Sequence, residues 1–229
     1  MKMEFDAKLS KQYDSGIRRA LPTYDPMLRL IETFLRANTM EHANILVVGA
    51  GGGNEVTNFS TNNPRWTLTG VDPSETMLAV AKDKCKEAGV SDRVEFIQGT
   101  VEDVEGLNNF DAATCILVLH FIYSYEEKLK TLQEIYSRLK NGAPFVLISK
   151  YGEPTSVEFK ERLKLWKSYW LDMTKLSINE VNEMEQDILS LSYLPKEMIE
   201  QLLVEAGFNR IAMFFSTTLF GGWICFKGQ

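Results

Sequence analysis

An apolar run, Asn44 to Val48 (NILVV), passes without a break into Gly49-Ala50-Gly51-Gly52-Gly53. A chain leaving a buried strand through so many glycines has to turn sharply, and its backbone is bare enough for another group to come close. The residues that follow, Asn54 to Thr61, read as the helix that such a turn feeds. A strand, a glycine turn and a helix in that order restrict the chain to a few architectures, chiefly sheets with helices packed across them.

The alternation continues downstream. Trp66 to Val71 reads as a second strand, ending at Asp72. In Ser74 to Ala88, Met77, Leu78, Ala81 and Cys85 recur at helical spacing, and Gly89 stops the helix. Val94 to Ile97 is a short third strand. Asp111 to Leu119 (DAATCILVL) is a fourth, apolar enough for burial on both faces. Glu126 to Leu139 is a helix with one apolar stripe, and Pro144 to Ser149 a fifth strand. Val157 to Leu191 breaks the rhythm, being helical in pattern and rich in Trp, Tyr, Leu, Glu and Lys. Lys196 to Ala206 is again a sheet-packing helix. Arg210 to Ser216 and Leu219 to Phe226 lie too close for a parallel crossover, so they must form a hairpin. The expectation is an α/β fold with seven strands, the last reversed.

Composition narrows the function classes. The hydrophobic share is 45% and the charged share 24%, as in ordinary globular domains. The formal charge of −6 is spread without a basic stripe, which argues against an extended nucleic-acid partner. No apolar run approaches the ~20 residues of a membrane span. The charged start, MKMEFDAKLSKQYD, does not resemble a secretory signal. Cys85, Cys115 and Cys225 are far apart, in no metal-binding spacing, and suit reduced thiols in a cytosol. A cytoplasmic protein without a metal site is expected.

Two features carry chemistry. A dinucleotide fingerprint beginning at Gly49 would need glycine at position 54, where Asn54 stands. About twenty residues past the loop, Asp72 ends the second strand, where a carboxylate can accept from both hydroxyls of a ribose. Asp72-Pro73-Ser74 also opens a helix, but Ser74 can cap it and leave Asp72 to a ligand.

The segments VVGAGGG, TGVDPSETML, FIQGTVEDV, FDAATCILVLHFI, RLKNGAPFVL and LLVEAGF occur in this order. In them the chain resembles the class I S-adenosylmethionine-dependent methyltransferases. In its N-terminal FD…RALPTYDPM, its helical insertion and its FF…GGW ending it is similar to their carboxy-S-adenosylmethionine synthase branch. The resemblance implies a Rossmann-like, mostly parallel sheet of order 3-2-1-4-5-7-6, with an antiparallel last strand, helices on both faces and a helical insertion after strand 5. It implies S-adenosylmethionine as cofactor, with S-adenosylhomocysteine as product. The cofactor would be held by Gly49, Ala50, Gly51 and Gly53, with Asp72 and Pro73 at the ribose and Tyr24 reaching over it. Met77, Thr100, Val101 and Glu102 would border the adenine.

The chain departs from the pattern in four places. Val47 replaces the acid that opens the glycine motif, and Thr100 replaces an adenine-binding aspartate, for which Glu102 or Asp103 could substitute. Leu202 and Ile116 stand where the carboxy-S-adenosylmethionine synthases carry an arginine and an asparagine.

A single domain over residues 1–229 is expected, with 1–40 as a helical cap and 151–193 as an insertion lining an acceptor pocket or a homodimer contact. His120, at the end of the fourth strand, is the candidate general base; Tyr24 and Tyr123 are weaker ones. The leading expectation is methyl transfer to a small-molecule acceptor. Carboxy-S-adenosylmethionine synthesis and non-catalytic cofactor binding are the alternatives.

Overall fold

The computed structural model describes residues 7–228, with side chains from Asp14 onward. Phe5 and Asp6, the first pair of the N-terminal resemblance, lie outside the described residues. Two helices lead in, α1 (Ala7–Ala20) and α2 (Tyr24–Asn38). Then strands and helices alternate: β1 (Ala43–Val48), α3 (Asn54–Asn62), β2 (Trp66–Asp72), α4 (Glu75–Glu87), β3 (Val94–Gln98), β4 (Ala112–Ile116), α5 (Tyr125–Arg138) and β5 (Pro144–Lys150). The insertion supplies α6 (Val157–Met173) and α7 (Ile178–Leu189). The chain closes with α8 (Lys196–Glu205), β6 (Phe208–Thr217) and β7 (Phe220–Lys227).

The strands form one sheet of order β3-β2-β1-β4-β5-β7-β6. β1 to β5 are parallel, and β7 runs antiparallel to both β5 and β6. This is the order expected from the resemblance, and the short β6–β7 turn is what reverses the last strand.

Two-residue alternation along each strand divides the apolar side chains between two cores. Ile45, Val47, Ile116, Val146 and Ile148 pack beneath α2, α3, α4 and α6. Leu46, Val48, Cys115, Phe145 and Leu147 pack beneath α5 and α8. The helices therefore cover both faces.

Two expectations need correction. The fourth strand ends at Ile116, three residues early, because Leu117 adopts a left-handed φ of 62°. A 3₁₀ turn, Leu119–Phe121, follows, so His120 lies beyond the strand in that turn. The helical stretch 157–191 is not continuous. Thr174 caps α6, and Ser177 starts α7 with a capping box to Glu180. None of the described helices is long and apolar enough to cross a membrane.

Candidate active site

The parallel strands all point their C-terminal ends at one edge, where open α/β sheets bind ligands. The glycine loop leaves β1 there with Gly49, Gly51 and Gly53 at φ of 76°, 45° and 79°. An added Cβ on Gly49 would lie against the Val118 side chain. On Gly51 it would approach Met77 Cε at 3.3 Å. Ala50 is buried against the bare Gly70 of β2, so the loop is drawn tightly onto the sheet.

Asp72 is fastened to both flanking segments. Gly51 N–H donates to its Oδ2 at 2.9 Å, and Ser74 N–H to its Oδ1 at 2.9 Å. The Ser74 hydroxyl caps α4 by accepting from Met77 N–H at 3.3 Å. Each Asp72 oxygen thus spends one lone pair on the backbone and keeps one for a ligand. Burial raises the Asp72 pKa, and the two backbone bonds oppose that shift. Pro73 is exposed beside it.

The sequence-predicted residues are brought together in part. Gly49, Ala50, Gly51, Gly53, Asp72 and Met77 form one cluster, with Met77 buried against Gly51. Tyr24 is buried at the start of α2, and Asn54 Nδ2 donates to its hydroxyl at 3.5 Å. The Asn54 carbonyl accepts from Lys84 Nζ at 2.6 Å, and Lys84 pairs with Asp14 of α1 at 3.3 Å. That chain of contacts ties the N-terminal helices to the glycine loop. An open cleft of about 410 Å³, lined by Asp14, Arg18, Asn54 and Lys84, adjoins these contacts.

Beyond β3, Val101 is buried at the head of a 3₁₀ turn, Val101–Asp103. Thr100 and Asp103 close that turn as a capping box, with Thr100 N–H donating to Asp103 Oδ2 at 2.8 Å. Glu102 is exposed and pairs with Lys130 at 2.9 Å. Both acids that could replace the missing aspartate therefore already have local partners.

Sequence reasoning missed Glu55, because a glutamate in a helix's first turn reads as solvated. It is buried, and Thr114 donates to its Oε2 at 3.4 Å. Thr114 is the β4 neighbour of Val47, so a carboxyl group stands near where the motif's acid is absent. Desolvation raises its pKa well above the usual range, Thr114 opposes this, and Asp72 adds to it.

His120 is buried, and its Nδ1 accepts from Lys150 N–H at 3.3 Å, with Ser149 Oγ also at 3.3 Å. Burial, then the charges of Lys150 and Lys128, hold its pKa well below 6.5, so the ring is neutral. The Lys128 ammonium donates to the carbonyls of Leu119 and Ile122 and so fastens the turn that carries it. Tyr123 is exposed nearby. Trp223 is fully buried, donates to Glu200 at 3.2 Å, and belongs to the α8 side.

Lys150 is a second group that the sequence reading passed over. It ends β5, is 8% exposed, and sets its ammonium 5.6 Å above the Phe220 ring. Burial lowers its pKa from 10.5 to about 7. A lysine with a depressed folded pKa destabilises the fold most below that value, and stability recovers as pH rises toward the unfolded pKa. Lys150→Met is expected to be more stable than the parent at pH 6, by on the order of 5 kcal/mol, with the gap closing toward pH 10. Urea denaturation at both pH values reads this out, and a gap independent of pH would refute it.

Residues 45–142 match the Methyltransferase domain family. Over nearly its whole length the chain is similar to carboxy-S-adenosyl-L-methionine synthases. It is 26% identical to that of Nautilia profundicola, covering 98% of this chain and 94% of the relative. The Wolinella succinogenes protein is 27% identical, covering 99% and 94%. Among solved structures, a SAM-dependent methyltransferase from Methanosarcina mazei matches with a TM-score of 0.61 at 16% identity, covering 85% of this chain and 97% of that one.

Proposed function

The chain belongs to the class I S-adenosylmethionine-dependent methyltransferase superfamily, and from that premise we propose that it binds S-adenosylmethionine and transfers the methyl group to a small-molecule acceptor. The observation that carries the reading is Asp72, whose two oxygens are aimed by Gly51 and Ser74 and each keep a lone pair. Ribose hydroxyls are the natural donors for such a carboxylate. The left-handed backbone at Gly49, Gly51 and Gly53 supports it further, since it keeps side chains off the ligand's path. Tyr24 from α2 would border the cofactor on the cap side, and Met77 from α4 and Val101 after β3 on the adenine side, with Thr100 and Glu102 at the rim.

The cofactor, once bound, supplies an already activated methyl group, so the protein's task is alignment and exclusion of water. Gly49 to Gly53 would hold its amino-acid end, and α1 with α2 would cover it through the Asp14–Lys84–Asn54–Tyr24 contacts. Glu55 would place a carboxyl group beneath that end, in the absence of an acid at Val47. His120 is neutral, as a general base must be. With Lys150 N–H donating to Nδ1 its own proton lies on Nε2, so its proposed role needs that proton to move first. With an acceptor in hand, His120→Ala should lower turnover while leaving S-adenosylmethionine affinity within about twofold; unchanged turnover would reduce His120 to holding the turn.

A second reading, carboxy-S-adenosylmethionine synthesis, draws on the near full-length similarity to enzymes of that name. Mass spectrometry of ligand carried through purification separates the two. S-adenosylmethionine or S-adenosylhomocysteine is expected, and a carboxylated sulfonium would overturn methyl transfer in favour of the second reading. If the cofactor binds but no acceptor in a broad screen yields S-adenosylhomocysteine, a non-catalytic binding role is the better account.

A further inference from the structure

Three polar side chains with buried, unpartnered atoms stand on segments that meet where the chain leaves β5. Arg162, on α6, lays its guanidinium 4.4 Å from the Tyr151 ring centre and 5.9 Å from that of Phe159. Its Nη2 donates to the Tyr151 carbonyl at 3.2 Å, yet its Nε and Nη1 are buried with no hydrogen-bond partner among the described residues. Glu158 stands on the rim, 77% exposed, its carboxylate 3.6 Å from Nε, too long for a hydrogen bond. Tyr193 packs edge-on to Phe159 at 4.9 Å, and its buried hydroxyl is also unpartnered. The Thr218 hydroxyl is the third. Its neighbour Leu219 accepts from Tyr151 N–H at 3.0 Å, while Gly152 N–H donates to Leu194, next to Tyr193, at 2.9 Å.

The backbone is shaped to admit the arginine. Gly152 has a φ of 129°, and a Cβ there would meet Arg162 Nη2 and, at 2.7 Å, the Phe159 ring. A buried donor left without an acceptor costs ~1–3 kcal/mol, and more when it is charged. Three such groups at one place are therefore costly unless something accepts from them. Tyr151 follows β5, Gly49 follows β1, and only β4 lies between those strands. Two strand spacings put the two loops ~10 Å apart, the span of a small molecule.

We propose that Arg162, Tyr193 and Thr218 form an anion subsite for the acceptor, which is a small carboxylic acid with its carboxylate on the Arg162 guanidinium. This deepens the methyl-transfer reading and rests on it for the word acceptor. The free Nη1–H, together with the second hydrogen of Nη2, matches a carboxylate in a fork, and the two hydroxyls donate to its remaining lone pairs. Burial pushes the Tyr193 phenol well up, so it stays a donor at every working pH. A single guanidinium beside the Glu158 rim, on a chain of net charge −6, suits a monoanion better than a phosphate dianion.

The test uses the whole protein with saturating S-adenosylhomocysteine, and acetate, benzoate and 3-phenylpropionate, each against its primary amide, followed by ligand-observed NMR. At least one carboxylate should bind tenfold more tightly than its amide. Arg162→Gln should erase that preference, Arg162→Lys should retain part of it, and Tyr193→Phe should weaken the carboxylate a fewfold. S-adenosylhomocysteine affinity should be unchanged in all three variants. If no carboxylate outbinds its amide, or if Arg162→Gln folds with the preference intact, the subsite is refuted. Should Arg162→Gln fail to fold, the Lys and Phe variants decide by the same criterion. Failure of S-adenosylhomocysteine to bind, with an Arg162-dependent carboxylate preference retained, would instead sink the methyl-transfer reading and leave the subsite standing.

Discussion

Asp72→Ala should weaken S-adenosylmethionine binding by ~10²–10⁴-fold, because two hydrogen bonds to a charged acceptor are worth ~1.5–3 kcal/mol each. The ribose bonds are only part of the loss. Gly51 N–H and Ser74 N–H also lose their acceptor, and Gly51 sits at the centre of the glycine turn. Asp72→Asn tells these apart, since an amide preserves the shape and one acceptor but presents NH₂ where a lone pair was. It should recover fold stability more fully than affinity. The pH dependence has a definite sign. Burial raises the folded pKa of Asp72, so its ionised form is disfavoured by the fold itself. Its stabilising contribution is present below the ordinary value of 3.8 and is lost as pH rises through the raised one. Cofactor affinity runs the other way, falling as acid protonates the acceptor. Calorimetry across that range would expose a wrong site assignment as an affinity indifferent to Asp72.

What the sequence disclosed follows from which signals are local. The glycine turn, the Asp72 strand end and the close spacing of the last two strands are backbone constraints, and each is readable in a few consecutive residues. From them the strand–helix alternation and the reversed last strand follow, whereas the sheet order rested on the family resemblance. The end of β4 was not readable, because nothing in the run CILVLHF reveals that Leu117 takes a left-handed φ. Glu55, Lys150 and Arg162 were hidden for another reason. Each sits among residues that read as solvated or as strand, and each finds a partner outside its own element. Glu55 meets Thr114 across 59 residues, and Lys150 lies over Phe220 of the returning strand. Charge at such positions acquires meaning only once the elements are assembled.

The largest expected loss of fold stability comes from Gly53→Ala, and the reason is packing as much as backbone angle. Gly53 caps α3 at a φ of 79°, where a side chain costs ~1–2 kcal/mol. A Cβ there would also stand 2.7 Å from Ala81 Cα and 2.9 Å from Ala81 Cβ, so α3 and α4 would have to part. Overpacking of that kind typically adds ~1–3 kcal/mol. The sum, about 2–5 kcal/mol, corresponds to a fall in Tm of ~5–15 °C for a domain of this size. Gly89 supplies the control: its φ is 69°, but an added Cβ meets nothing within 4 Å. Gly89→Ala should therefore show the backbone cost alone, and the difference between the two variants isolates the helix contact. Because α3 and α4 carry Glu55 and Met77, separating them should also reduce S-adenosylmethionine affinity in Gly53→Ala and not in Gly89→Ala. Equal Tm shifts in calorimetry would mean that the two helices yield freely. In that case the glycine at position 53 serves the turn and not the packing of the site.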